Sequence, residues 1–86
     1  MSPDEDNLAR HALGLPNERN RSYRNRYFTT EDHVIWSLMR QHGLALWHPQ
    51  PRIGEPAYGM FYLTKAGANA ALRPGETLDD EDFPDV

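Results

Sequence analysis

Apolar residues fall in three groups along the chain, divided by polar or Pro/Gly-rich stretches. In the first group Leu8, Ala9, Ala12 and Leu13 recur at spacings of three and four, one face of a helix. Ser2 supplies a cap, Pro3 suits the first helical position and Glu5 completes a capping box. Asp4, Glu5 and Asp6 sit where the helix dipole favours negative charge, and Gly14 and Pro16 end the element. In the second group Val34, Ile35, Leu38 and Met39 predict the buried face of a helix. It is expected to begin near Thr29 or Thr30, with Asp32 closing a short capping box, and to stop at Gly43. Trp36 lies off that stripe and is expected to widen the core.

The third group alternates as strands do. LALWHP and MFYLT flank the Pro/Gly-rich PQPRIGEPAYG, which predicts a β-hairpin with a mobile tip, or wing. Pro49, Pro51 and Pro56 cannot donate to a ladder, so pairing should be confined to about 44–48 and 59–64. Thr64 can cap a last helix, KAGANAAL, whose small residues allow close packing. The class expected is therefore α+β, in the order helix, Arg-rich loop, helix, β-hairpin, helix. It forms a single domain over residues 1–73. The core set is Leu8, Ala12, Leu13, Leu15, Val34, Ile35, Leu38, Met39, Leu44, Leu46, Phe61, Leu63, Ala68 and Leu72. Residues 74–86 hold two prolines, six acids and little to bury, which predicts a disordered acidic tail.

Charge sharpens this division. The net charge is −4, yet all nine basic residues lie between residues 7 and 73, against only Glu18, Glu31, Asp32 and Glu55. The remaining acids are gathered at the two ends. Within NERNRSYRNRYF, residues 17–28, Arg19, Arg21, Arg24 and Arg26 alternate with asparagines and with Tyr23 and Tyr27. Guanidinium forks suit phosphate or carboxylate, and exposed tyrosines can stack. In an extended chain the pairs 19, 21 and 24, 26 each turn to one side. With Arg52 at the wing, these seven residues form the expected partner- or nucleic-acid-binding set. The opposing expectation is intramolecular, with the strip wrapped over the core and its cations paired to Glu18, Glu31, Asp32 or the tail. Exposed ion pairs are worth only about 0–1 kcal/mol each, a weak reason to gather four arginines.

Catalytic chemistry is poorly represented. There is no cysteine, Ser2, Ser22 and Ser37 lie in no nucleophile motif, and no Gly-rich phosphate loop follows a strand. His11, His33, His42 and His48 match no zinc-ligand spacing. The reading is a protein that is not an enzyme, with no catalytic residues, metal or cofactor. No apolar run is long enough to span a bilayer and the N-terminus is acidic where a signal peptide is basic, so a cytoplasmic, disulfide-free setting is expected.

Two resemblances follow from these motifs. From Val34 to Leu72, GLALW followed by FYLTKAGANAAL resembles the second half of a winged-helix domain, where a Leu-Thr-x-x-Gly motif opens the closing helix. Leu63, Thr64 and Gly67 occupy it here. The helix before the wing, residues 30–42, would be the DNA-reading one, yet it opens with Glu31 and Asp32 and carries only Arg40. ARHALGLPNERNRSYRNRYF together with FYLTKAGA resembles small proteins of tailed phages and prophages. That resemblance implies a host-cell cytoplasmic setting and carries no catalytic residue. The leading expectation is a non-catalytic interaction module that binds a host or phage protein. The alternative is a nucleic-acid-binding regulator using the strip and wing, with the acidic tail competing for the strip. A homodimer through an apolar patch at Trp36, Trp47 and Tyr58 is a further expectation.

Overall fold

Ser2 caps the first helix, α1 (Pro3–Leu13): its hydroxyl accepts from the Glu5 amide while the Glu5 carboxylate accepts from the Ser2 amide. The structure, a computed structural model, describes residues 1–83. After α1 come β1 (Tyr27–Thr30), α2 (Val34–Gln41), β2 (Ala45–Pro49), β3 (Tyr58–Leu63) and α3 (Lys65–Ala71). The α+β class holds, with one strand more than the hydrophobic pattern predicted. No helix among the described residues is long and apolar enough to cross a membrane.

The added strand is β1. Thr29 and Thr30 do not cap a helix; they extend with Tyr27 and Phe28 along the free edge of β3. Aromatic and β-branched residues fit a pleated surface better than a helix start, and an unpaired edge was available to them. The sheet order is β1-β3-β2, antiparallel throughout. Register places Tyr27, Phe61 and Trp47 side by side facing the core, with Ala45, Gly59 and Leu63 on the same face. Phe28, Leu46, His48, Tyr58, Met60 and Tyr62 lie on the opposite face.

With the helix starting at Val34, His33 becomes its cap, accepting from the Trp36 amide through Nδ1. The inward stripe is Ile35, Trp36 and Met39, one position round from the expected one. Trp36 is fully buried, stacked on Phe61 at 5.5 Å and tilted against Tyr27. Val34 and Leu38 turn outward, 69% and 41% exposed, and Leu46 is exposed on the outer sheet face. The largest side chain takes the core, and two branched aliphatics give way to it.

The hairpin pairs within a residue of the expected limits. Gly67 explains the Leu-Thr-x-x-Gly motif: a Cβ there would lie 2.0 Å from the Leu44 carbonyl oxygen. The hydroxyl of Thr64 accepts from the Gly67 amide and donates to the Gly43 carbonyl, tying α3 to the end of α2.

The acidic tail departs most from expectation. Residues 74–83 pack on the fold instead of being disordered, while residues 84–86 of the predicted tail lie outside the described residues. Thr77 makes a parallel bridge to Arg21, with the Ser22 amide donating to the Thr77 carbonyl and the Thr77 amide to that of Asn20. Phe83 is buried in the core and Leu78 packs against it. Arg10 and Glu76 form a bidentate pair at 2.5 and 2.7 Å, with both side chains more than nine-tenths buried. Two apolar anchors and one buried carboxylate outweigh a composition that alone reads as disordered. The domain therefore extends past residue 73.

Candidate interaction site

The arginine strip begins where α1 ends, and the end of α1 explains its path. A helix leaves its last carbonyls without intrahelical donors. Here Leu15 and Gly14 donate to the Arg10 and His11 carbonyls, Arg26 to Ala12 and Tyr23 to Leu13. Arg24 adds its guanidinium, with Nε at 3.2 Å and a terminal nitrogen at 2.7 Å from the His11 carbonyl oxygen. The strip is thus a strap whose amides cap α1, and a cation at that end suits the helix dipole.

Its asparagines hold the strap's shape. Asn17 donates to the Gly14 and Arg21 carbonyls and accepts from the Arg19 and Arg21 amides. Asn25 exchanges two bonds with the backbone of Leu63, at 2.8 and 3.0 Å, imitating a strand neighbour beyond the end of β1. These groups face the protein and not a partner.

The seven expected site residues divide accordingly. Arg19 and Arg26 make no side-chain hydrogen bond or ion pair among the described residues. Arg21 is 3.8 Å from Asp79, both side chains partly exposed. Arg24 is held by His11 and lies 5.3 Å from the ring centre of Tyr23, which is 61% exposed. Tyr27 is not an outward stacking platform: it packs edge-on to His11 and His33 and against Trp36. Arg52 stands apart at the wing, 4.0 Å over the Tyr58 ring, whose other neighbour is Phe28 at 6.3 Å and 10°. The expected patch of Trp36, Trp47 and Tyr58 is likewise absent, since Trp36 is buried and Trp47 packs 4.6 Å from Phe61.

Alternation does group the arginines in pairs. Arg19 and Arg21 border an open groove of about 540 Å³ with Asn17, Glu18, Ser22, Tyr23 and Asp79. Arg24 and Arg26 border a smaller cavity of about 310 Å³ with His11, Tyr27 and Phe28. The two pairs differ electrostatically. The first shares its groove with Glu18 and Asp79, whereas no acid lines the second. Arg26 does bear on Asp82, whose pKa is raised by burial first and then by Asp79 and Glu81, with Arg26 opposing the shift.

Sequence reasoning missed Arg10, Glu76, His11 and Phe28. Arg10 sits at the rim of the apolar stripe of α1, three residues before Leu13, a weak signal of burial. Glu76 was one acid among six, and nothing local separates it from the rest. No protein-family model, curated protein or solved structure matches the chain.

Proposed function

We propose that this is a non-catalytic protein-binding module, of the kind small phage proteins use on a host or phage partner in the host cytoplasm, built on a winged-helix-like scaffold. Support for the scaffold comes from a helix leading directly into a two-stranded hairpin, followed by a Thr64-capped helix whose Gly67 sits against the backbone of Leu44. Its departure from that plan is the middle of the chain, where a strap and β1 stand between α1 and α2.

The observation that carries the reading is the outward face of α2. On a scaffold of this kind that helix is the one offered to duplex DNA, and a DNA reader would place cations there. Here Val34 and Leu38 occupy it, one turn apart and exposed, and Arg40 is tied to Glu31 at 3.0 Å. An apolar pair on an exposed helix suits a protein groove better than phosphate. The test is a pull-down from host lysate with the wild-type chain and with a Val34→Asp, Leu38→Asp double variant. One stoichiometric protein bound by the wild type and released by the double variant is expected. Recovery of the same proteins by both chains would rule α2 out as the docking face.

A further inference from the structure

The cavity beside Phe28 has features that the protein-binding face of α2 does not use. Arg24 is pre-oriented, because the His11 carbonyl fixes two of its guanidinium nitrogens and leaves the third uncommitted. Arg26 has no side-chain hydrogen-bond or ion-pair partner among the described residues. His11 adds an exposed imidazole, Tyr27 closes the inner wall, and Phe28 supplies exposed ring surface. Phe28 is 46% exposed and belongs both to this cavity and to the outer sheet face. There it begins a row: Phe28 stacks on Tyr58, and Tyr58 carries the Arg52 guanidinium. Cations therefore stand at both ends of a short aromatic platform, Arg24 and Arg26 at one end and Arg52, with Glu55 4.0 Å away and exposed, at the other.

We infer that this row is a docking site for single-stranded nucleic acid. A phosphate sits at Arg24 and Arg26, a base lies against Phe28, and the strand runs past Tyr58 toward Arg52. Bases stack on aromatic rings whatever their identity, and phosphates pair with guanidinium forks, so the site recognises strand form and not sequence. A duplex keeps its bases stacked internally and has none to offer Phe28. An acidic peptide would match the cations but has no use for the ring row. Glu81 and Asp82 border the adjoining part of the same sheet face with Asn25, Met60, Tyr62 and His48, and Asp82 lies within the field of Arg26, so their charge keeps the strand on the side of Phe28 and Tyr58. The inference is independent of the α2 reading, since none of its residues belongs to that helix.

Fluorescence anisotropy with a labelled single-stranded oligothymidylate and the full chain tests it. Two to three phosphate contacts predict a log–log salt slope between about −1.4 and −2.1, at roughly −0.7 per contact. Arg26→Ala should flatten that slope by about 0.7. Phe28→Ala should weaken binding about fivefold or more with the slope unchanged, and Phe28→Trp should restore it. Arg19→Ala, in the neighbouring groove, should change neither. Thermal melts show that each variant is folded. The inference is overturned by no binding at low salt, by equal effects of Arg19→Ala and Arg26→Ala, by equal competition from a duplex of the same length, or by an acidic peptide that displaces the oligonucleotide with the same dependence on Phe28.

Discussion

Arg10 is the residue on which three parts of the molecule converge. It donates to the Ala71 carbonyl at the end of α3, binds Glu76 through two nitrogens and projects from α1, so it ties two helices to the C-terminal segment. Bond formation with Arg10, above all, holds the Glu76 carboxyl down to about 2 from an ordinary 4.5. A carboxylate whose folded pKa is depressed contributes stability above its unfolded value and loses it as the pH falls toward the folded one. Acid titration of the wild type should therefore show a stability loss between about pH 4.5 and 2. Glu76→Gln should be less stable at neutral pH and flatter across that window, read by urea unfolding at stepped pH. Part of the slope should persist, because Glu5 is also lowered by its bonds to Ser2. Arg10→Ala strands Glu76 in a buried setting and should cost about 3–5 kcal/mol. Trp36 presents the reverse case: its indole N–H is buried with no partner among the described residues. An unmet donor costs about 1–3 kcal/mol, so Trp36→Phe should lose far less than the roughly 3–5 kcal/mol expected for Trp36→Ala.

At the scale of elements, the strap between α1 and β1 is the unusual feature. Thirteen residues, 14–26, outside any helix or sheet strand are uncommon in a small domain, and here they cap one helix and extend one sheet. Asn25→Ala removes both bonds to Leu63 and should destabilise by about 1–3 kcal/mol, with faster amide exchange at Leu63 as a local readout. The helix that opens with KAGANAA depends on contact more than on propensity. Gly67→Ala drives a methyl group into the Leu44 carbonyl and should cost at least about 2 kcal/mol, whereas Thr64→Ala should cost nearer 1 kcal/mol through its lost cap. Both are measured by thermal melts. The hairpin, both ends of α1 and α3 and the end of α2 were legible because caps, glycines and alternation act locally; the start of α2, expected at Thr29 or Thr30 and found at Val34, was not. The phase of α2 was not, because a 100° turn of a helix changes no local rule; it depends on which side chain fills the space against Phe61. Nor was β1 legible, since YFTT gains its ladder only from β3, some thirty residues away.

For the whole molecule, the acidic C-terminal segment is part of the fold and also of its charge pattern. It places Asp79 beside Arg21 and Asp82 within the field of Arg26, which locally offsets the basic strip. Removing residues 74–86 takes away Phe83 and leaves Arg10 buried without its carboxylate. The truncated chain should therefore melt well below the full one, and it is unsuitable as a simple test of whether the tail competes for the strip. Charge-neutral substitutions at Asp79 and Asp82 separate the two effects: binding by the strip should tighten while the melting temperature changes little.

The amino-acid sequence by itself determined the helix boundaries of α1 and α3, the hairpin limits, the basic strip and the class of fold. Caps, turns and periodicity operate within a few residues, so one chain read from end to end carries them. Tertiary structure alone decided that the strap closes α1, that Val34 and Leu38 turn outward around the expected Trp36, and that one tail acid of six, Glu76, is buried. Each of these outcomes compares contacts between residues far apart in the chain. Such contacts differ in energy only once the chain has folded to bring them together.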